Sequence, residues 1–265
     1  ALASYGFAPG FVPGGESAGT VAETGPGVDP AWRGRRVWAA SGAGGSYAEH
    51  VLAPAEQLVP LPPGLSPEAA VTLGSAGGVA HFGLERARLG AGDRVLVRGA
   101  SGSFGIAAVQ LAARAGATVT ATASDPARAA RLRALGAART TGRAPAPGAY
   151  DVILDIVSGP GLPAFLDLLA PNGRLVSVGA VGGQPPADFG THLMAAFQKS
   201  LSFSTLSLAT IPPQDLRTVR AAHFAAAARG DLTPVVHLTL PLGEAARAHA
   251  EMDAGTVFGR VVLTP

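Results

Sequence analysis

Between Arg94 and Ser124 the chain reads RVLVRGASGSFGIAAVQLAARAGATVTATAS, with Gly102 and Gly105 at the spacing of a phosphate-cradling loop. Such a loop must turn sharply out of a strand, let the backbone approach a pyrophosphate, and start a helix whose first amides face the negative charge. Gly102 is placed for the close approach and Gly105 for packing helix against strand. Ala100 stands where the usual pattern has its first glycine, and it can serve the turn if its φ stays negative. Ser101, Ser103 and Phe104 complete the candidate cradle. The pattern alone is weak; its weight comes from the apolar strand VLVRG before it and the amphipathic helix, from about Ser103 to Ala115, that it opens.

The end of the following strand decides which dinucleotide fits. An acidic residue there would bind a ribose 2′-hydroxyl and repel a 2′-phosphate. The strand runs into ATASDPARAARL, where Asp125 directly precedes Pro126 and so reads as a helix N-cap with proline at the first helical position. The strand-end position is then Ala123 or Ser124, small and neutral, with Arg128 and Arg131 one or two turns on to meet a phosphate. NADPH is the expected cofactor.

These residues must be held by a scaffold, and the sequence from Val95 supplies one by alternation. The strand VLVRG, the helix after it, the strand TVTATA, a helix through PARAARLRAL, the strand DVILDIV, a helix GLPAFLDLLA and the strand RLVSVGA follow in turn, the signature of a doubly wound parallel sheet. Val157, Gly179 and Ala180 fall just after two of these strands, at the carboxyl ends where cofactors bind. LSFSTLSL reads as a further strand before a long helix over Pro213 to Arg229. The tail runs through VHLTLPL, a helix to Met252 and GRVVLTP. The first 70 residues differ: short pieces GTVAETG, RRVWAA and SYAEHVLAP, separated by Gly and Pro turns, predict a small antiparallel β unit.

Composition narrows the partners. Among 265 residues, 20 basic and 18 acidic side chains leave a net charge of +2, and the basic ones are scattered, so neither a nucleic-acid nor a membrane-surface footprint is expected. No apolar run is long enough to span a bilayer, and no signal peptide is recognisable, so a cytoplasmic protein is the expectation. With no cysteine, disulfides, thiolate nucleophiles and thiolate zinc sites are excluded.

The segments FVPGGESAGTV, GSYAEHVLAP, LPPGLSPEAAVTLGSAGGVAHFGL, GASGSFGIAAVQLAARAGATV, LRALGA, DVILDIVSG, LAPNGRLVSVG and LPLGEAARAHAEMDAGTVFGRVVL stand at spacings that resemble the medium-chain dehydrogenase/reductase superfamily, zinc-independent quinone oxidoreductase-like branch. The resemblance implies an α/β protein with a Rossmann-type domain over 74–212 and a GroES-like, mainly β catalytic domain from 1–73 and 213–265. It also implies a homodimer paired through the edge strand 201–208; an unpaired apolar edge is independently a hazard. Zinc-dependent members carry a histidine at the position of Gly15 and cysteine ligands, which this chain lacks, so no metal is expected. Relatives have a further upstream segment, so either a part precedes the sequence shown or the catalytic domain is N-terminally shortened. The helix that relatives carry between LRALGA and DVILDIV is expected to be a loop here.

By the same resemblance, Tyr5 matches a tyrosine beside the nicotinamide and is the candidate catalytic donor, with packing in the site wall as the alternative. Gly78 and Val79 match site lining, Val79 replacing a common threonine. Lys199 matches a basic residue before the last strand, and helix-terminal carbonyls are its expected partners. Tyr47 is expected to be structural, and the histidines to be solvated or core residues. Without a metal to polarise a carbonyl, hydride transfer is easiest onto a quinone or an α,β-unsaturated carbonyl, whose charge is already delocalised. An enoyl-thioester reductase of polyketide or fatty-acid type and a non-catalytic NADPH-binding homologue are the alternatives. The Gly15 to Gly19 stretch GESAG also fits a serine nucleophile elbow, but it runs into a strand-like segment and not into a helix, which that motif requires.

Overall fold

The computed structural model describes residues 10–42, 44–144 and 148–265. They fall into two compact units, one made of the chain up to Ser75 and from Pro212 onward, the other of Ala76–Ile211. The expected boundaries were at 73/74 and 212/213. The 20-residue helix α1, Pro67–Arg86, carries the chain from one unit into the other.

The first unit begins with β1 (Glu16–Thr20), β2 (Arg36–Ala40) and β3 (Val59–Pro60), which form a three-stranded antiparallel sheet in the order β1-β2-β3. The expected strand GTVAETG is displaced: pairing runs from Glu16 opposite Ala40 to Thr20 opposite Arg36. Beyond Val21 the chain leaves for a turn closed by Asp29, whose carboxylate accepts from the Ala31 amide. SYAEHVLAP is not a strand. Its start hydrogen-bonds along residues 12–14, but left-handed Gly14 and Gly45 bend both partners out of a regular ladder. Ser17 lies inside β1 opposite Ala39, in extended sheet and not on a strand-to-helix turn, which disposes of the nucleophile elbow.

The second unit alternates as the apolar pattern predicts: β4 (Arg94–Arg98), α2 (Ser103–Arg114), β5 (Thr118–Thr122), α3 (Pro126–Ala134), β6 (Arg139–Thr141), β7 (Tyr150–Asp155), α4 (Pro163–Leu166), β8 (Leu169–Ser177), α5 (Phe189–Ala195) and β9 (Ser202–Thr205). The six strands form one parallel sheet in the order β6-β5-β4-β7-β8-β9. Val95, Leu96 and Val97 of β4 and Val152, Ile153 and Leu154 of β7 are buried. Both faces of the central strands are covered, so these segments read as continuous apolar runs and not as alternating ones.

Three expected elements are shorter or different. GLPAFLDLLA yields only the single turn α4, because Leu169 already pairs with Tyr150 as strand. β9 covers four residues and not the whole of 201–208; the chain then turns into a 3-10 helix at Leu208–Thr210. Between α3 and β7 the sheet gains β6, and the described residues of that connection include no helix.

The chain returns to the first unit with α6 (Pro213–Ala228), β10 (Val236–Pro241), α7 (Ala245–Asp253) and β11 (Arg260–Thr264); β10 and β11 pair in parallel. Phe224 of α6 packs with Trp38, Val59, Leu61, Leu65 and Leu73 in this unit's core. Glu16 ties the unit together. Its side chain is 7% exposed and accepts from Trp38 Nε1 at 3.0 Å and from the Ser75 amide at 3.0 Å, and it pairs with Arg260. Burial holds the Arg260 guanidinium down at about 10. Arg220 stacks on Trp38 at 4.4 Å and donates from Nε to the Gly74 carbonyl.

Candidate dinucleotide site

At the end of β4 the sharp turn belongs to Gly99, not to Ala100. Gly99 has φ +84°, and its amide donates to Thr122 Oγ1 at 3.0 Å, tying the turn to the end of β5. Ala100 keeps to the ordinary half of φ space and is wholly buried. This explains how the loop works with alanine in the first position of its pattern: the left-handed residue stands one place earlier, where a side chain would be strained.

The other two glycines have different jobs. A Cβ on Gly105 would lie 2.4 Å from both Ala100 Cα and the Gly99 carbonyl oxygen, so α2 can lie this close to the β4 turn only without a side chain there. A Cβ on Gly102 would meet nothing within 4 Å. Gly102 is extended, with φ −82° and ψ 166°, and serves as N-cap of α2 without a side-chain cap; the first helical bond runs from the Ile106 amide to its carbonyl at 2.9 Å. The helix start is thus open on the side where an added side chain would project, and the macrodipole favours an anion there. Ser101, Ser103 and Phe104 are half-buried around it. A pyrophosphate fits this cradle.

At the end of β5, Asp125 is the N-cap of α3. It accepts from the Arg128 amide at 2.9 Å and from Ser124 Oγ at 2.9 Å, and Arg128 Nε lies 3.2 Å from it. These bonds, led by the Arg128 amide, hold its carboxyl below the usual carboxylate range. Ser124 and Arg131 are exposed; the Arg128 side chain is mostly covered.

Beyond β7 and β8 the chain makes two tight turns against each other. A Cβ on Gly159 would lie 2.5 Å from the Gly182 carbonyl oxygen, and one on Gly179 2.6 Å from that of Ile156. The Gly182 amide donates to the Val157 carbonyl at 2.7 Å, which brings Val157, Gly179 and Ala180 into one backbone cluster beside the glycine loop. Beneath it lies Asp155, fully buried, 3.1 Å from Arg98 Nη1. Burial raises its pKa against the opposing pull of Arg98 and of the Val157 and Ser158 amides.

Gly78 is buried on α1, facing Leu208 of the segment after β9, and Val79 is half-buried. Lys199 Nζ donates to the Asp167 and Leu169 carbonyls at 2.9 and 3.1 Å, so it serves the exposed end of α4 and not its own helix. Tyr47 Oη lies 3.3 Å from His249 Nε2, and burial raises its pKa. Tyr5, the expected donor, lies outside the described residues. Sequence reasoning missed Gly99, Arg98, Asp155 and Glu16. A glycine directly after an apolar strand was the available hint of Gly99, while Arg98, Asp155 and Glu16 depend on contacts distant in sequence.

The geometry defines a class: a parallel doubly wound sheet with a glycine-rich loop for a dinucleotide, joined to a smaller β-containing unit. Residues 3–63 match the alcohol dehydrogenase GroES-like domain and residues 132–263 the zinc-binding dehydrogenase family. Mycobacterial Rv1454c, solved in complex with NADPH, is 30% identical over 99% of this chain and 85% of that one, with a TM-score of 0.90. A quinone oxidoreductase from Pseudomonas syringae pv. Tomato is 29% identical over 96% and 82%, with a TM-score of 0.85. The chain belongs to the medium-chain dehydrogenase/reductase superfamily and is quinone oxidoreductase-like. Among curated proteins, a mycocerosic acid synthase-like polyketide synthase from Mycolicibacterium smegmatis is 35% identical over 99% of this chain, which spans only 13% of that protein. The polyketide synthase GfsB of Streptomyces halstedii is 33% identical over 95% of the chain and 4% of its own length.

The zinc implied by the second family's name does not fit. Catalytic zinc needs imidazole, thiolate or carboxylate ligands converging on one point. The chain has no cysteine, and no cluster of three possible ligands occurs among the described residues. A Cβ at Gly15 would already lie 2.9 Å from the Gly42 carbonyl oxygen, leaving no room for a histidine without moving that backbone.

Proposed function

We propose that this protein is an NADPH-dependent, zinc-independent oxidoreductase acting on a quinone or another α,β-unsaturated carbonyl compound. The observation that carries the reading is the pairing of an open helix start at Gly102 with a strand end whose only acidic residue, Asp125, is committed to capping α3. A carboxylate so engaged is a poor partner for a ribose 2′-hydroxyl, and the neutral Ser124 with nearby Arg128 and Arg131 suits a 2′-phosphate. The NADPH complex of the mycobacterial relative supports the same cofactor.

In this reading the amides of residues 102–105 hold the pyrophosphate, and the backbone of Val157, Gly179 and Ala180 lines the other half of the dinucleotide. Bound NADPH supplies a hydride. Gly78 and Val79 line the acceptor side, and the Tyr5 phenol donates a hydrogen bond to the acceptor oxygen, stabilising the charge that develops there. A conjugated acceptor suits a site without a Lewis acid because its own π system spreads that charge.

The polyketide synthase relatives favour a second acceptor class, a 2-enoyl thioester reduced at its β-carbon. One experiment separates the readings: NADPH consumption followed by absorbance, with a quinone and then with a 2-enoyl thioester. Turnover on the thioester alone selects the second reading. Binding of NADPH without turnover on either marks a non-catalytic homologue. We also propose a homodimer paired through β9, the last strand of its sheet; light scattering that gives a monomer mass overturns it.

A further inference from the structure

The carboxyl ends of β4 and β7 are joined by a buried ion pair that none of the chemistry above uses. Arg98 Nη1 donates to Asp155 Oδ1 at 3.1 Å and to the Ser158 carbonyl at 2.9 Å. Asp155 in turn accepts from the Val157 amide at 3.0 Å and the Ser158 amide at 2.9 Å. Ser158 has φ +57°, a left-handed conformation that a residue with a side chain keeps only where its neighbours enforce it. The enforcement is visible: the pair holds the peptide groups on both sides of Ser158. Phe165 closes Arg98 from the other face, its ring 4.2 Å from the guanidinium carbon.

An ion pair largely withdrawn from water is a poor way to gain stability, since apolar side chains of similar volume do as well. What it supplies is placement, because a carboxylate accepting two amides fixes both in space. The sheet order gives the placement a purpose. β5, after which Ser124, Arg128 and Arg131 follow, lies with β6 to one side of β4; β7 and β8 lie to the other, so the turn at residues 157–159 belongs to the second mononucleotide half.

We propose that Arg98 and Asp155 are positioning residues for the nicotinamide half of the dinucleotide, acting through the left-handed turn at Ser158 that presents the Val157 backbone. The proposal rests on the NADPH reading above. It separates the two halves of the ligand, and 2′-phospho-ADP-ribose, which lacks the nicotinamide, is the probe.

Titrations of wild type, Asp155→Asn and Arg98→Lys with NADPH and with that fragment provide the test. The expected result for Asp155→Asn is a fragment affinity within about twofold of wild type and an NADPH affinity about tenfold weaker, the scale of one lost charged hydrogen bond. Arg98→Lys, which keeps the charge with fewer donors, should fall between. Adding Ser158→Gly to Asp155→Asn should restore NADPH affinity, because glycine adopts the left-handed turn without support. A general loosening of the fold would weaken both ligands together and would not be rescued by glycine; either of those results overturns the proposal, as does unchanged NADPH affinity. If Asp155→Asn does not fold, the Arg98→Lys comparison of the two ligands decides alone. Wild-type protein that binds neither ligand overturns the dinucleotide reading itself, and the inference with it.

Discussion

Two glycines three residues apart should respond to substitution in opposite ways. At Gly105 an added Cβ meets backbone atoms at 2.4 Å, roughly an ångström inside normal contact, and backbone cannot swing aside as a flexible side chain can. Overpacking of this kind costs about 3 kcal/mol, against which alanine in a helix returns about 1, leaving a net loss of about 2 kcal/mol for Gly105→Ala. For a protein of this size that corresponds to a fall in Tm of about 4–8 °C. At Gly102 the added atom meets nothing within 4 Å and the backbone is already extended, so Gly102→Val should move Tm by no more than about 2 °C. The valine methyls would instead occupy the space in front of the α2 amides. NADPH affinity should fall by about a hundredfold or more, corresponding to about 2.8 kcal/mol. Thermal denaturation and fluorescence titration of NADPH, run on both variants, check the pair. A Gly102→Val protein that binds NADPH like wild type would refute the assignment of the open helix start as the pyrophosphate cradle, and a Gly105→Ala protein with a raised Tm would refute the packing argument.

Three further outcomes are expected. Asp125→Asn, which preserves the cap, should leave the preference for NADPH over NADH unchanged in competitive titration; a large swing toward NADPH would mean that the carboxylate was reading the ribose. Glu16→Ala removes the carboxylate that pairs with Arg260 and accepts from both Trp38 Nε1 and the Ser75 amide, and should cost about 3 kcal/mol in urea denaturation. Asp151 is held below its ordinary value chiefly by hydrogen bonds from the Arg94 side chain. A depressed carboxylate stabilises the fold above its unfolded value, near pH 4, and loses that contribution as pH falls through the lower folded value. Asp151→Asn should therefore be less stable by up to about 1 kcal/mol at neutral pH, with the difference vanishing in strong acid.

The sequence by itself determined the parallel sheet, since buried strands must be continuously apolar and crossover helices amphipathic, and β4, α2, α3 and β7 carry that pattern. It likewise determined the Asp125 cap, because Asp followed by Pro and a run of helix formers has one economical local solution. The absence of thiolate ligands needed no structure at all. Local pattern misled where tertiary pairing overruled it: SYAEHVLAP follows a glycine turn as a strand would, but left-handed Gly14 and Gly45 bend its start and its partner out of a ladder, and GLPAFLDLLA has helical composition but yields to the β7 and β8 pairing at Leu169. Only the tertiary structure could assign the loop's turn to Gly99, because the need for positive φ is set by where β5 and β7 lie, not by the glycine pattern. Only it could join Arg98 to Asp155 and Glu16 to Arg260. Those pairs link residues 57 and 244 positions apart in the sequence, and a buried charge finds its partner through the fold, so no spacing rule announces it.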